Sequence, residues 1–131
     1  MKCLHIITPV KDSIDSTLET VKAIMESDIL VPFTYTVYND FSTEENTHRL
    51  EEAARQWNFR LVNLSDLTDH PSPNYLLVLQ TAQKEAIEAD AGLLIVESDV
   101  IVKKNTLQSL YNSALQQKQC GIAAAVTTDE K

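Results

Sequence analysis

Residues 93–96, Leu-Leu-Ile-Val, constrain the fold more than any other part of this chain. Four consecutive apolar side chains make a short run bounded by Gly92 and by acids, the length of a strand. They show none of the two-residue alternation expected of a strand with one wet face. Such a run fits a strand covered on both faces, and strands of that kind belong to parallel sheets sandwiched between helices.

The flanking sequence supplies the other elements of such a sheet. Residues 2–8 read as a first strand stopped by Pro9, and Leu18, Val21, Ile24 and Met25 make a helical stripe over about 15–25. FTYTVY, residues 33–38, is β-branched and aromatic, a second strand. Ser42 and Glu45 have capping-box spacing, and behind them Leu50, Ala53, Ala54 and Trp57 line one helix face. Residues 59–64 alternate as a third strand. Residues 65–74, SDLTDHPSPN, are rich in breakers and read as a solvent-facing loop. A helix over about 75–89 would face inward through Leu76, Leu79, Ala82, Ala86 and Ala89. LLIVES would be a fourth strand, and Asn105 a cap for a helix carrying Leu107, Leu110 and Tyr111. CGIAAAVTT, residues 120–128, would be a fifth strand. The resulting order is β-α-β-α-β-α-β-α-β. It predicts a three-layer α/β/α sandwich with a mostly parallel sheet, in a single domain over residues 1–131.

Several function classes drop out on composition. The chain carries 11 Lys and Arg against 19 Asp and Glu, a net charge of −8, and its cations are scattered. That is no footprint for nucleic acid, and a phosphorylated ligand would call for a bridging cation. There are only two glycines, Gly92 and Gly121, so neither a Walker loop nor a dinucleotide GxGxxG turn can form. No apolar run approaches the roughly 18 residues of a membrane span. The N-terminus lacks the apolar core of a signal peptide. Cys3 and Cys120 match no metal or redox spacing and read as reduced, buried thiols. Together these features predict a cytoplasmic location.

Ligands of open α/β sheets gather at the carboxyl ends of the strands. Two such ends carry acids here: Asn39-Asp40 after the second strand and Glu97-Ser98-Asp99 after the fourth. The first strand would end close by in a turn at Thr8-Pro9. Acid-x-acid supplies hard oxygen ligands suited to Mg2+ or Mn2+, which can also bridge to diphosphate oxygens. By themselves these acids are more simply read as solvated strand ends or turn caps. His5 reads as a core histidine, His48 as a solvated one and His70 as a loop residue facing solvent.

In order and at this spacing, the pieces resemble the N-terminal half of a family 2 glycosyltransferase with the GT-A, Rossmann-like fold. HIITPVKD resembles that family's first strand and turn. TVYNDFSTEENT is similar to its Asp-Asp-Gly-Ser segment, and LLIVESDV to its hydrophobic strand ending in D-x-D. The resemblance implies that Asp40 recognises a nucleobase, with Asn39 beside it and Thr8, Pro9, Val10 and Asp12 lining the same nucleotide-binding pocket. It places Asp99 on a metal, Mn2+ or Mg2+, and Glu97 with Ser98 near the ribose or a metal-bound water. Asn39 stands where the family has its first acid, Phe41 where it has glycine, and Gln83-Lys84 where many members have Arg-Asn.

The implied donor is a UDP- or GDP-sugar, and the acceptor an unidentified glycan or lipid. The implied location is cytoplasmic, free or at the inner face of the membrane. The resemblance covers the donor-binding part alone. It implies an incomplete domain whose acceptor-binding part and catalytic base lie elsewhere, so the chain by itself should not turn over. Two other readings stay open: a non-catalytic sugar-nucleotide-binding domain, and a receiver-like signalling module. The latter would need an acid pair directly after strand one, where only Asp12 stands near.

Overall fold

The computed structural model describes residues 3–115 and 122–126. Its centre is β1 (Cys3–Val10), and the chain then runs α1 (Ile14–Met25), β2 (Phe33–Asn39), α2 (Glu44–Trp57) and β3 (Arg60–Asn63). A 3-10 turn at Leu64–Asp66 leads toward α3 (Tyr75–Glu88), followed by β4 (Ala91–Val96), α4 (Thr106–Leu115) and β5 (Ile122–Val126). The five strands form one sheet in the order β3-β2-β1-β4-β5, every neighbouring pair parallel. Of the segment expected as the fifth strand, residues 120–121 and 127–128, Cys120 among them, lie outside the described residues.

Helices cover both faces, as the 93–96 run requires. All six residues of β4 are buried. On one face α1, α2 and α4 pack Val21, Ile24, Leu50 and Leu107 onto Leu4, Ile6, Val37, Leu94 and Val96. On the other face α3 packs Val78, Ala82 and Ala86 onto Ile7, Tyr38, Leu93 and Ile95. In α2 only Leu50 and Ala53 are fully buried. Leu50 is therefore the main anchor of that helix, contributing about 2 kcal/mol by burial.

Local details depart from the sequence-based reading in four places. Pro9 does not stop β1. It lies inside the strand opposite Tyr38, and the β1–β4 ladder has already ended at Ile7↔Ile95. Beyond that point β1 has a ladder partner on one side only, a setting in which a missing N–H is tolerated. The cap of α2 is Thr43, whose hydroxyl accepts from the Asn46 N–H at 3.2 Å, one residue later than the Ser42–Glu45 box. Helix α3 buries 78, 82 and 86 and leaves Leu76 66% exposed and Ala89 exposed, because the i, i+4 seam starts at Val78. Finally, residues 70–74 do not simply face solvent. They fold back onto the end of β2, with Asn74 buried.

Candidate functional site

From β1 the chain moves outward through β2 and β3, then crosses back over α3 to β4 on the other side of β1. The order reverses between β1 and β4, so the ligand crevice of an open α/β sheet belongs at their carboxyl ends. Three loops leave the sheet at that end: residues 11–13, 40–43 and 97–100. The hydrogen bond from the Asp40 N–H to the Val10 carbonyl, 2.8 Å, ties the first two together.

The residues of β1 enter the site less than their position suggests. Thr8 is fully buried, its hydroxyl oxygen accepting from the Tyr35 phenol at 2.8 Å. Val10 belongs to the core. Only Pro9 of the three retains partial exposure. Asp12 follows in a left-handed conformation, φ 64°. Its N–H donates to the Ser42 hydroxyl at 2.7 Å. One carboxylate oxygen accepts from the Thr43 N–H at 2.8 Å and from Asn46 Nδ2 at 3.0 Å. Those donors, Asn46 first, hold its carboxyl below the usual carboxylate range. Lys11 completes the tie, donating to the Phe41 carbonyl at 2.8 Å. Asp12 thus joins the β1–α1 turn to the start of α2, where the helix N-terminus favours a negative charge.

Asn39 is 3% exposed and fully engaged. Its Nδ2 donates to Thr47 Oγ1 and to Asn63 Oδ1, both at 2.9 Å, while its Oδ1 accepts from the Ser42 N–H at 3.2 Å. A carboxylate could make only the last of these bonds, which explains an amide at this position. Phe41 keeps the left-handed backbone that a glycine would adopt freely, φ 63°. The conformation costs about 1–2 kcal/mol, offset by packing of the ring against the α3-side core.

Asp40 is 8% exposed, and its carboxylate is held by residues 72–74. One oxygen accepts from the Ser72 hydroxyl at 2.8 Å and the Asn74 N–H at 2.9 Å. The other accepts from Asn74 Nδ2 at 2.9 Å. Ser72 and Asn74 were not singled out by sequence. Their only signal is a pair of short polar residues immediately ahead of an apolar helix.

Glu97, Ser98 and Asp99 form the turn beyond β4, closed by the Val100 N–H donating to the Glu97 carbonyl at 3.2 Å. The Thr20 hydroxyl of α1 donates to the Ser98 carbonyl at 3.0 Å, and Val100 is buried, so the turn is fastened on both sides. Glu97 is partly buried and Asp99 exposed. Burial, followed by the negative charge of Asp99, raises the Glu97 pKa against the pull of the Tyr75 phenol. Among the described residues Asp99 makes no hydrogen bond, and no group of three His, Cys, Asp or Glu is placed to ligate a metal. Two carboxylates repelling one another, with water and ligand oxygens to complete the shell, suit Mg2+ or Mn2+. Lys103 and Lys104 are exposed, and the Lys104 carbonyl accepts from the Asp28 N–H at 2.8 Å, beyond the far end of α1 and away from the crevice. Gln83 and Lys84 are exposed on α3.

No protein-family model matches the chain, and no curated protein matches it. Among solved structures it is similar to S. aureus TarS, a glycosyltransferase. Against TarS 1-349 the TM-score is 0.65 at 22% identity, covering 88% of this chain and 33% of that one. Against S. aureus TarS the values are 0.65 and 23%, covering 88% and 20%. Against TarS 1-349 in complex with UDP-GlcNAc they are 0.64 and 24%, covering 88% and 32%. The chain therefore spans a third or less of the length of these structures. It has an α/β, Rossmann-like fold of the glycosyltransferase kind.

Proposed function

We propose that this chain is the donor-binding part of a family 2 glycosyltransferase, holding a UDP- or GDP-sugar with Mn2+ or Mg2+ for transfer to a glycan or lipid acceptor. The observation that carries the reading is the Glu97–Asp99 pair. These carboxylates stand on a fastened turn at the switch point of a glycosyltransferase-like sheet, crowded by each other's charge and, for Asp99, without a hydrogen-bond donor among the described residues. The family assignment rests on the HIITPVKD, TVYNDFSTEENT and LLIVESDV segments. The nucleotide is suggested by the neighbour solved with UDP-GlcNAc.

Asp99 would hold the cation directly, and Glu97 would hold it or a water bound to it. When bound, the cation supplies charge neutralisation to the departing diphosphate. The chain's own contribution is to keep the two carboxylates on a rigid turn, while the Asp12 and Asn39 networks fix the opposite lip of the crevice. Acceptor binding and the catalytic base are assigned to residues outside this chain, at a cytoplasmic location.

Calorimetric titration of UDP and GDP, with and without Mn2+, tests the reading. Metal-dependent binding of one nucleotide, lost in Asp99→Ala with the circular dichroism unchanged, is the expected result. Binding that ignores the metal, or survives Asp99→Ala at full strength, refutes the assignment of the metal site.

A further inference from the structure

Helix α3 runs back from the carboxyl end of β3 to the amino end of β4, so its first residue, Tyr75, stands at the carboxyl ends of the strands. Leu77, Val78 and Leu79 pack against the sheet, whereas Tyr75 is 43% exposed. Its backbone is nevertheless held on both sides. Asn74, the residue before it, gives its N–H and its Nδ2 to the Asp40 carboxylate, each at 2.9 Å. The Asn74 carbonyl accepts from the Val78 N–H at 3.1 Å, and Val78 is buried with Ile7 and Ile95, the last pair of the β1–β4 ladder. Residues three apart share one side of a helix. The Tyr75 side chain therefore falls just beyond that ladder, where β4 gives way to Glu97.

There the phenol hydrogen-bonds to the Glu97 carboxylate. Burial first, then the charge of Glu97 and this bond, raise the Tyr75 pKa. The phenol has one proton to give, and a carboxylate has about four acceptor positions. The contact thus fixes the direction of Glu97 and leaves most of its lone pairs open.

We propose that Tyr75 is a positioning residue of the cation site, its phenol holding the Glu97 carboxylate toward the space it shares with Asp99. This inference rests on the donor-binding reading and deepens it. Carboxylates that bind metals are commonly held by an outer hydrogen bond, and loss of that partner weakens metal binding about 10–100-fold. The path from Asp40 through Asn74 to Tyr75 also joins the end of β2 to the end of β4. Asp40 then serves the cation site by fixing the start of α3.

Two measurements test it. The first needs no metal: NMR of tyrosine labelled with 13C at Cζ. The Tyr75 signal, assigned by its absence in Tyr75→Phe, should shift in Glu97→Ala, and an unmoved signal overturns the proposal. The second is Mn2+ binding, read by electron paramagnetic resonance of the free ion, with UDP or GDP and without nucleotide. Tyr75→Phe keeps the ring and removes only the O–H, and it should weaken Mn2+ binding about tenfold. The double variant with Glu97→Ala should bind no more weakly than Glu97→Ala alone. A double variant weaker still would mean that Tyr75 acts through the fold and not through Glu97, and would overturn the proposal. Equal Mn2+ affinity in the wild type and Tyr75→Phe removes this inference and leaves the donor-binding reading standing. A wild type that binds no Mn2+ under any of these conditions overturns both.

Discussion

Asn39→Asp replaces one atom and restores the acid that the resembling family carries at this position. The geometry nevertheless predicts damage. The new carboxylate could still accept from the Ser42 N–H, but both donations, to Thr47 Oγ1 and Asn63 Oδ1, would be lost. Thr47 could turn its hydroxyl toward the carboxylate at little loss, because its present bond to the Ser42 carbonyl is long, 3.4 Å. The Asn63 oxygen would face a negative charge unless its amide rotates. One lost bond is worth about 1 kcal/mol, and a charge at a site 3% exposed with incomplete donors adds about 1–3 kcal/mol. The sum is roughly 2–4 kcal/mol at neutral pH. The carboxyl at position 39 would have a raised pKa in the fold. The folded state would then bind more protons than the unfolded one between the ordinary carboxylate range and that raised value. The variant's deficit should thus be largest above the raised pKa and shrink as pH falls through it. Urea unfolding followed by fluorescence of Trp57, the single tryptophan, at pH 7.5 and pH 5 measures both effects. Wild-type stability at pH 7.5, or a deficit independent of pH, would refute the account of Asn39 as an amide-requiring hub.

Other expectations follow from single contacts. Thr43→Ala should destabilise by about 1 kcal/mol through loss of the α2 cap, whereas Glu45→Ala should change urea stability little, the reverse of a Ser42–Glu45 box. Asn58 ends α2 in the left-handed region, φ 62°, with its N–H on the Ala54 carbonyl. Asn58→Gly should therefore hold or raise the melting temperature, and Asn58→Ala should cost about 1 kcal/mol. His5 is 6% exposed, with Nδ1 2.8 Å from Thr34 Oγ1 and Nε2 3.3 Å from Glu85. Burial lowers its pKa despite Glu85, whose oxygens Arg60 already engages at 3.0 and 2.9 Å. The unfolded chain then takes up the proton first as pH falls below about 6.5. Stability should decline through that window, less steeply in His5→Gln, and equal slopes would contradict the burial argument.

The sheet was legible because its signal is redundant. The 93–96 run, the aromatic and β-branched stretch at 33–38 and the helical stripes between them all require the same layered order, and the parallel sheet follows. Details that hinge on one residue were less secure. Pro9 marks a strand end only when both neighbours are paired, and whether β4 still accompanies β1 at that height is a tertiary fact. In α3 Leu79, Ala82 and Ala86 face the core as expected, but the ends of the face differ because the helix offers more apolar positions than the sheet can cover. Leu76 and Val78 both qualify by hydrophobicity, and only the register of packing chooses Val78. Residues 70–74 are the loop their composition implies, with His70 exposed, and only the inward turn at Ser72 and Asn74 departs from it, for a different reason. Polar, breaker-rich composition describes what a loop can do in water, and carries nothing about a buried carboxylate, Asp40, far earlier in the sequence that needs its donors.

The acids of the site divide along the same line. Asp12 and Asp40 both stand at strand ends, and either could be read as a ligand from its position. Each is surrounded by backbone and side-chain donors that the fold itself supplies. Such donors tie loops together, so removal of either carboxylate should loosen structure before it touches chemistry. Glu97 and Asp99 have the opposite character. Their turn is fastened by its backbone, through Thr20 and Val100, so the fold does not depend on their carboxylates for closure. At neutral pH their mutual repulsion is a cost the fold bears. Neutral replacements there, Glu97→Gln and Asp99→Asn, should leave stability unchanged or higher while removing any response to Mn2+. That combination separates a carboxylate kept for binding from one kept for building, and a loss of stability in both variants would place the pair with Asp12 and Asp40 instead.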